Sequence, residues 1–293
     1  MIVRGRWIPF VLVLALVFAA CSSRTKAQGT GTGASGSPTA GTTSTVSPGA
    51  KGGSGGSSTG ASSTPGGTGA AGQSYRDGGS VGEMARAYLR RSPATELRVE
   101  VDWVTGREPS SSTLDHLRSV LLSVADKPEG IIVEKDQALP AGPDQWRLAD
   151  IVSLERTARQ RHSSGNTATM WIVYLNGSFG ESDGTLGLAY TASSAAIFRD
   201  RMDDATTALL LESEIERSVI THEAGHLLAL VNIGYHSRIN HEDPQHPHHS
   251  SSQNSVMYWQ IEDVSIRSLL NGGPPADFDD SDRADLKMLR EGG

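Results

Sequence analysis

An α/β fold is what this sequence predicts: a mostly parallel twisted sheet with an antiparallel edge strand, packed on helices. Three observations carry that expectation. Short apolar runs with strand patterning alternate with longer segments of helical periodicity, the order that builds a parallel sheet. Two shorter strand candidates stand together just before a long helix, which allows an antiparallel edge. Finally, only residues 81–293 carry enough aliphatic content to bury a core, and that length suits one domain.

The elements follow in chain order. Residues 1–21 read as an export signal: Arg4 and Arg6 give the positive start, Ile8 to Phe18 the apolar stretch, and Phe18-Ala19-Ala20-Cys21 a small-residue processing site. The stretch is short for a membrane span. Cys21 is the only cysteine, which excludes disulfides within the chain and a cysteine-based zinc site. The arrangement resembles a bacterial lipoprotein signal, which implies that Cys21 becomes a lipidated N-terminus and that the membrane is a partner through that anchor. A plain secretory signal is the alternative, and both readings place the domain outside the cytoplasm, in the cell envelope or secreted. Residues 22–80 are almost entirely Gly, Ser, Thr, Ala and Pro, with too little apolar surface to offset the entropy of ordering them. They read as a tether with an r.m.s. reach of roughly 40 Å.

Residues 81–293 hold 20 Lys plus Arg against 32 Asp plus Glu, a net charge of −12, with the basic residues scattered. Such a domain is a poor ligand for nucleic acid or an anionic surface, and no nucleic-acid partner is expected.

Within it, Met84 to Arg91 is a short helix candidate, and Glu96 to Val104 alternates in strand fashion, with Leu97, Val99, Val101 and Trp103 on one face. Ser111 to Ala125 repeats leucine and valine at helical spacing behind capping serines. Gly130 to Lys135 is a second strand, Leu148 to Arg161 a second long helix, and Ala168 to Asn176 a buried strand. Thr185 to Tyr190 and Ala195 to Asp200 are the two short strand candidates, and Leu209 to Leu230 is the long helix.

That helix contains THEAGH. Positions i and i+4 of a helix share a face, so His222 and His226 can present two imidazoles to one zinc ion, with Glu223 beside them to take a proton from water. Nine histidines occur in the chain and seven fall between His222 and His249. A third ligand is therefore sought in the downstream stretch holding His236, His241, His246, His248 and His249.

The helix, GTLGLAY before it and SVMYW after it resemble the metzincin metalloproteases, which place a third histidine downstream and a methionine in a tight turn under the metal. The nearest branch by spacing is the archaemetzincins, where the third His is followed by Cys, four residues, Cys, one residue and the turn Met. Here His249 is followed by Ser250, four residues, Ser255, Val256 and Met257. The resemblance implies a zincin-like domain with His222, His226 and His249 as zinc ligands, Met257 as the turn residue, and no second, structural zinc, because serine binds zinc poorly. His241 and His246 stay open as alternative third ligands. Asn232 occupies the usual third-histidine position and Ala229 the usual glycine, so the helix is expected to run on, with the turn moved to Gly234.

The implied activity is hydrolysis of peptide bonds in a peptide or protein substrate, endo- or aminopeptidase, with Glu223 as general base and the substrate added as a strand beside Leu186 to Tyr190. Tyr258 is a candidate oxyanion stabiliser or a packing residue. Phe278 to Arg290 is expected to form a closing helix capped by Asp279 or Ser281, with Leu286 and Leu289 inward and its acids on the solvated face. The run Asp277, Asp279, Asp280, Asp282 lacks the glycine and glutamate of a calcium loop. Two other functions compete: a non-catalytic surface lipoprotein that binds or sequesters zinc, and an envelope module in which the histidines are incidental.

Overall fold

Strand β1 (Glu96–Val104) leads into helix α2 (Ser111–Val124), after the short helix α1 (Ala85–Leu89). There follow β2 (Gly130–Leu139), the two-residue β3 (Gln145–Trp146), α3 (Leu148–Ala158), β4 (Thr167–Leu175) and β5 (Ser178–Phe179). Next come β6 (Gly187–Ala189), β7 (Ser194–Phe198), α4 (Arg199–Ala205), α5 (Glu212–Leu227), the hairpin of β8 (Glu242–Asp243) and β9 (His246–Ser250), and α6 (Asp280–Glu291). The structure is a computed structural model and describes residues 75–292 apart from residue 209 and residues 270–272. The expected signal at residues 1–21, Cys21 and residues 22–74 of the tether lie outside the described residues.

The main sheet has the order β2-β1-β4-β7-β6. Its first four strands are parallel, and β6 closes the edge antiparallel to β7, with Leu188 opposite Ala196. Both faces are covered. On one, Leu97, Val99, Val101 and Met170 pack with Leu117 and Leu121 of α2, Val219 and Ile220 of α5, and Leu286 of α6. On the other, Trp171, Val173 and Phe198 meet Ile151 of α3 together with Trp146 and Phe179. Burial on both faces is why β4 reads as an unbroken apolar run. Each fully buried Leu, Ile or Val here contributes about 1.5–3 kcal/mol.

Two polar alternates of β1, Glu100 and Asp102, are buried as well. Glu100 accepts the backbone N–H groups of Gln160 and Arg161 at 2.8 and 2.7 Å, and Asp102 accepts from Trp171 Nε1 at 2.8 Å. Burial therefore raises both carboxyls above their ordinary values, and these hydrogen bonds to the charged forms oppose the rise.

Several expected boundaries move. Among the described residues, packing already includes Tyr75, inside the expected tether. Tyr75 is buried with its hydroxyl on the Gly165 carbonyl, and Asp77 accepts the Ser163 N–H at 2.9 Å. The last strand before the site stops at Phe198, because Arg199 opens α4 and turns its guanidinium to Glu212 and Glu216 of α5. Helix α5 begins at Glu212 rather than Leu209, where the Glu214 carboxylate accepts the Leu211 N–H at 2.9 Å.

Candidate metal centre

Helix α5 carries His222, Glu223 and His226, all buried. It ends at Leu227, and the chain reverses through Ala229 (φ 65°), Val231 (φ 52°) and Asn232 (φ 64°). The expectation that the helix would run on to a turn at Gly234 is thus corrected: alanine takes the left-handed conformation itself. That conformation costs an L-residue roughly 1–2 kcal/mol. Complete burial of Leu227, Leu228, Leu230 and Val231 around the reversal offsets it. Asn232 organises the loop that follows. Its amide donates to Glu242 at 2.6 Å, and its oxygen accepts the Ser237 N–H at 2.8 Å.

The loop returns through the β8–β9 hairpin, and the Ser250 N–H donates to the Met257 carbonyl at 2.7 Å. That bond sets His249 beside the helical pair. Ring centroids lie 4.6 Å apart for His222 and His226, 5.3 Å for His222 and His249, and 5.2 Å for His226 and His249. Met257 sits in a turn closed by the Tyr258 N–H on the Ser255 carbonyl at 3.1 Å. It packs against Gly225, where a Cβ would overlap its sulfur, so the glycine of HEAGH is what lets the turn approach the helix.

Hydrogen bonding decides the tautomers. His222 Nδ1 lies 2.7 Å from the Val256 carbonyl and His249 Nδ1 3.0 Å from the Pro247 carbonyl. A carbonyl only accepts, so both Nδ1 atoms carry protons, and in the neutral ring both Nε2 atoms present lone pairs. His226 Nε2 faces His222 Nε2 at 3.0 Å, while its buried Nδ1 has no partner. Burial holds His226 well below the usual imidazole range, helped by His222, so its neutral form is favoured. No carbonyl places the His226 proton, so its Nε2 is free to turn a lone pair to the same point, and three neutral imidazoles so gathered are the donor set of a soft-to-borderline cation such as zinc. His222, His226, His249 and Glu262 form one of two groups among the described residues compact enough to hold a metal ion. The other, Glu100, Asp102 and Asp136, consists of carboxylates with hydrogen-bond donors of their own.

Glu223 lies under the edge strand, with Gly187 so close that a Cβ there would overlap the carboxylate. Neither of its oxygens makes a hydrogen bond. Burial pushes the carboxyl well above its usual range, the charge of Glu262 pushes the same way, and the nearby Ala189 N–H opposes them. Tyr258 is half-buried, its hydroxyl reached by the Gln253 amide at 3.4 Å.

The two alternative histidines face elsewhere. His246 stacks on Trp259 at 4.2 Å and holds Asp243 at 2.8 Å. His241 is buried against α6, with Nε2 2.9 Å from Asp285 and Nδ1 3.6 Å from Asp282. This overturns the expectation that the acids of α6 lie on the solvated face. Asp282 and Asp285 are buried, Asp279 caps the helix, and the Ser255 hydroxyl donates to Asp282 at 2.6 Å. A signal was present. Residues 282, 285, 286 and 289 share one helical face, so the acids lie on the face of Leu286 and Leu289.

Glu262, in the 3₁₀ turn Trp259–Glu262, carries no spacing signal in the sequence. Its carboxylate lies 3.2 Å from His249 Nε2, 3.6 Å from His222 Nε2 and 4.0 Å from His226 Nε2.

No protein-family model and no curated protein matches the chain. Among solved structures it is similar to the archaemetzincin of Methanopyrus kandleri, at 16% identity over 67% of this chain and 96% of that one, with a TM-score of 0.47. It is similar also to the archaemetzincin of Archaeoglobus fulgidus complexed with malonate, at 16% identity over 64% of this chain and 99% of that one, TM-score 0.39. Metalloproteinase-II of Bacteroides fragilis matches at 12% identity over 71% of this chain and 61% of its own length, TM-score 0.41. At these values the functional reading rests on the site itself.

Proposed function

We propose that the chain is a zinc-dependent metallopeptidase, exported and held at the cell envelope by a lipid on Cys21, that hydrolyses peptide bonds with Glu223 as general base. The observation that carries the zinc reading is the tautomer pattern: carbonyls fix the protons of His222 and His249 on Nδ1, turning both Nε2 lone pairs toward His226. Those three imidazoles would hold the ion. Zinc bound there supplies Lewis acidity, which acidifies water and polarises a carbonyl.

The remaining work falls to the chain. Glu223 accepts the proton of the attacking water on its carboxylate and returns it to the leaving amine. Gly187 leaves it the room to do so. Met257, packed on Gly225, holds the Val256 carbonyl turn against His222 and so fixes that ring. A peptide or protein substrate pairs along the outer edge of β6, where Gly187 to Ala189 have β7 on one side only among the strands of the sheet. The acidic domain carries no basic stripe for nucleic acid.

The second reading, a zinc-binding surface lipoprotein without peptidase activity, draws support from the Glu262 carboxylate beside the same imidazoles. One preparation separates the two. Full-length protein is taken from the membrane fraction, where Cys21→Ala is expected to be lost, and assayed for bound metal and casein hydrolysis beside Glu223→Gln. The expected result is one zinc per chain in both, with hydrolysis reduced at least about 100-fold in the variant. Zinc without any cleavage favours sequestration, and absence of zinc overturns both readings.

A further inference from the structure

We infer that Glu262 is a fourth protein ligand of this centre, closing it in the resting state, so that an incoming small anion or substrate group must displace the carboxylate before the site opens. The inference rests on the zinc reading and adds to it a residue outside the HExxH helix and the histidine loop.

The argument is one of donors and acceptors. With their Nδ1 protons committed to the carbonyls of Val256 and Pro247, His222 and His249 as neutral rings can offer Glu262 only lone pairs. A carboxylate is also an acceptor. Yet its oxygens stand 3.2 Å from His249 Nε2 and 3.6 Å from His222 Nε2, and His249 Nε2 has no hydrogen-bond partner despite that approach. Acceptors gathered face to face in a largely buried site repel one another unless a metal ion or added protons on the imidazoles lie among them, and the donor set gathered here, with a third imidazole from His226, is that of a metal ion. Three neutral imidazoles and one carboxylate make a complete tetrahedral donor set for zinc, the arrangement of a closed site rather than an open one.

Placement supports ligation with release. The backbone on either side of Glu262 is sewn to the start of the edge strand: its carbonyl accepts the Leu186 N–H at 2.7 Å, and the Val264 N–H donates to Gly184 at 2.9 Å. Asp263 bridges to Thr185 in the same stretch. The Cα of Glu262 is thereby fixed while the side chain keeps about 33% exposure, a route by which the carboxylate can swing to water without unfolding its turn. A strand docking on β6 would approach along that stitched segment, so substrate arrival and carboxylate departure are sterically linked.

The test uses full-length protein loaded with cobalt(II), together with Glu262→Gln and Glu262→Ala. Three quantities are read: metal affinity by chelator competition, the visible cobalt spectrum, and the affinity for acetohydroxamate. Loss of one ligand should weaken metal binding about tenfold or more. It should also change the cobalt spectrum and tighten acetohydroxamate at least about tenfold, since nothing then has to be displaced. Wild-type affinity, spectrum and acetohydroxamate binding in both variants, with an unchanged denaturation midpoint, would overturn the inference and leave the three-histidine centre standing. Failure of the wild type to bind cobalt or zinc at all would instead overturn the zinc reading beneath it.

Discussion

The loop between α5 and Met257 separates two histidine clusters that meet burial in opposite ways. On one side His222, His226 and His249 surround a single carboxylate, Glu262, and their ring nitrogens converge. On the other, one imidazole, His241, meets two buried carboxylates, Asp282 and Asp285, with Asp279 contributing charge from the cap. Burial works against a charged His241, but the hydrogen bond and charge of Asp285, followed by Asp282 and Asp279, outweigh it and raise its pKa above the usual value. Burial and a neighbouring imidazole push His226 the other way. Excess carboxylate makes histidine the cation; excess imidazole favours the neutral form, the one able to bind a cation. In α6 the ion pair holds down the loop from which β9 delivers His249, so the second cluster positions the first without sharing its chemistry.

The largest effect that would break this contrast comes from deleting one histidine on each side. His222→Ala should lower zinc affinity at least about a hundredfold, the loss expected when a ligand itself is removed. His241→Ala should keep one zinc per chain but lose about 3–5 kcal/mol of stability, because the Asp285 charge is left buried with only the Ser237 hydroxyl for a partner. Metal content and urea midpoints read both. If His241→Ala loses its metal while its fold is intact, the two clusters are not chemically separate.

A pH series sharpens the contrast further. Burial pushes Asp282 up to about 6 from 3.8, so the folded state binds its proton more tightly than the unfolded chain. The stability tied to that proton is complete below about pH 3.8 and is lost as pH rises through about 6. Above His241's ordinary value of 6.5, its raised pKa continues the trend in the same direction. Asp282→Asn, which imitates the protonated acid toward Ser255, should therefore gain on the wild type between pH 4 and 6 by on the order of 1–3 kcal/mol. A difference between the two midpoints that stays flat across that range would show that Asp282 is not the proton carrier.

The smallest expected effect lies at the point where the chain leaves α5 for the loop. Ala229→Gly relieves a side chain at φ 65° but adds freedom to the unfolded chain. A net gain of about 0.5–1 kcal/mol in denaturant is expected, with metal content unchanged. A loss would mean that Ala229's contact with the Gly82 segment matters more than its strain.

How much of this was legible in the chain follows from the range of each interaction. Strand β1 occupies Glu96–Val104 as the alternation implied, and α2 falls one residue short of its expected end. Both are governed by local periodicity and capping, as with the Ser110 side chain on the Thr113 N–H. The packing of Tyr75 and Asp77 was hidden, because their partners, Gly165 and Ser163, are far along the chain. In α6 the periodicity was readable, but residue polarity masked it: aspartates at 282 and 285 look solvated until His241 is known to lie opposite.

By itself the sequence determined the αβ alternation with its antiparallel edge and the pairing of His222 with His226 on one helical turn around Glu223, since spacing along an element is enough for these. Which loop histidine joins that pair, that Glu262 comes with it, and that Asp282 and Asp285 turn inward were decided only when α5, the β9 hairpin, the Met257 turn and α6 packed together. The reason is physical. Local backbone geometry sets which side chains share a face, whereas the protonation and role of a buried histidine depend on charges and carbonyls brought to it from distant parts of the chain.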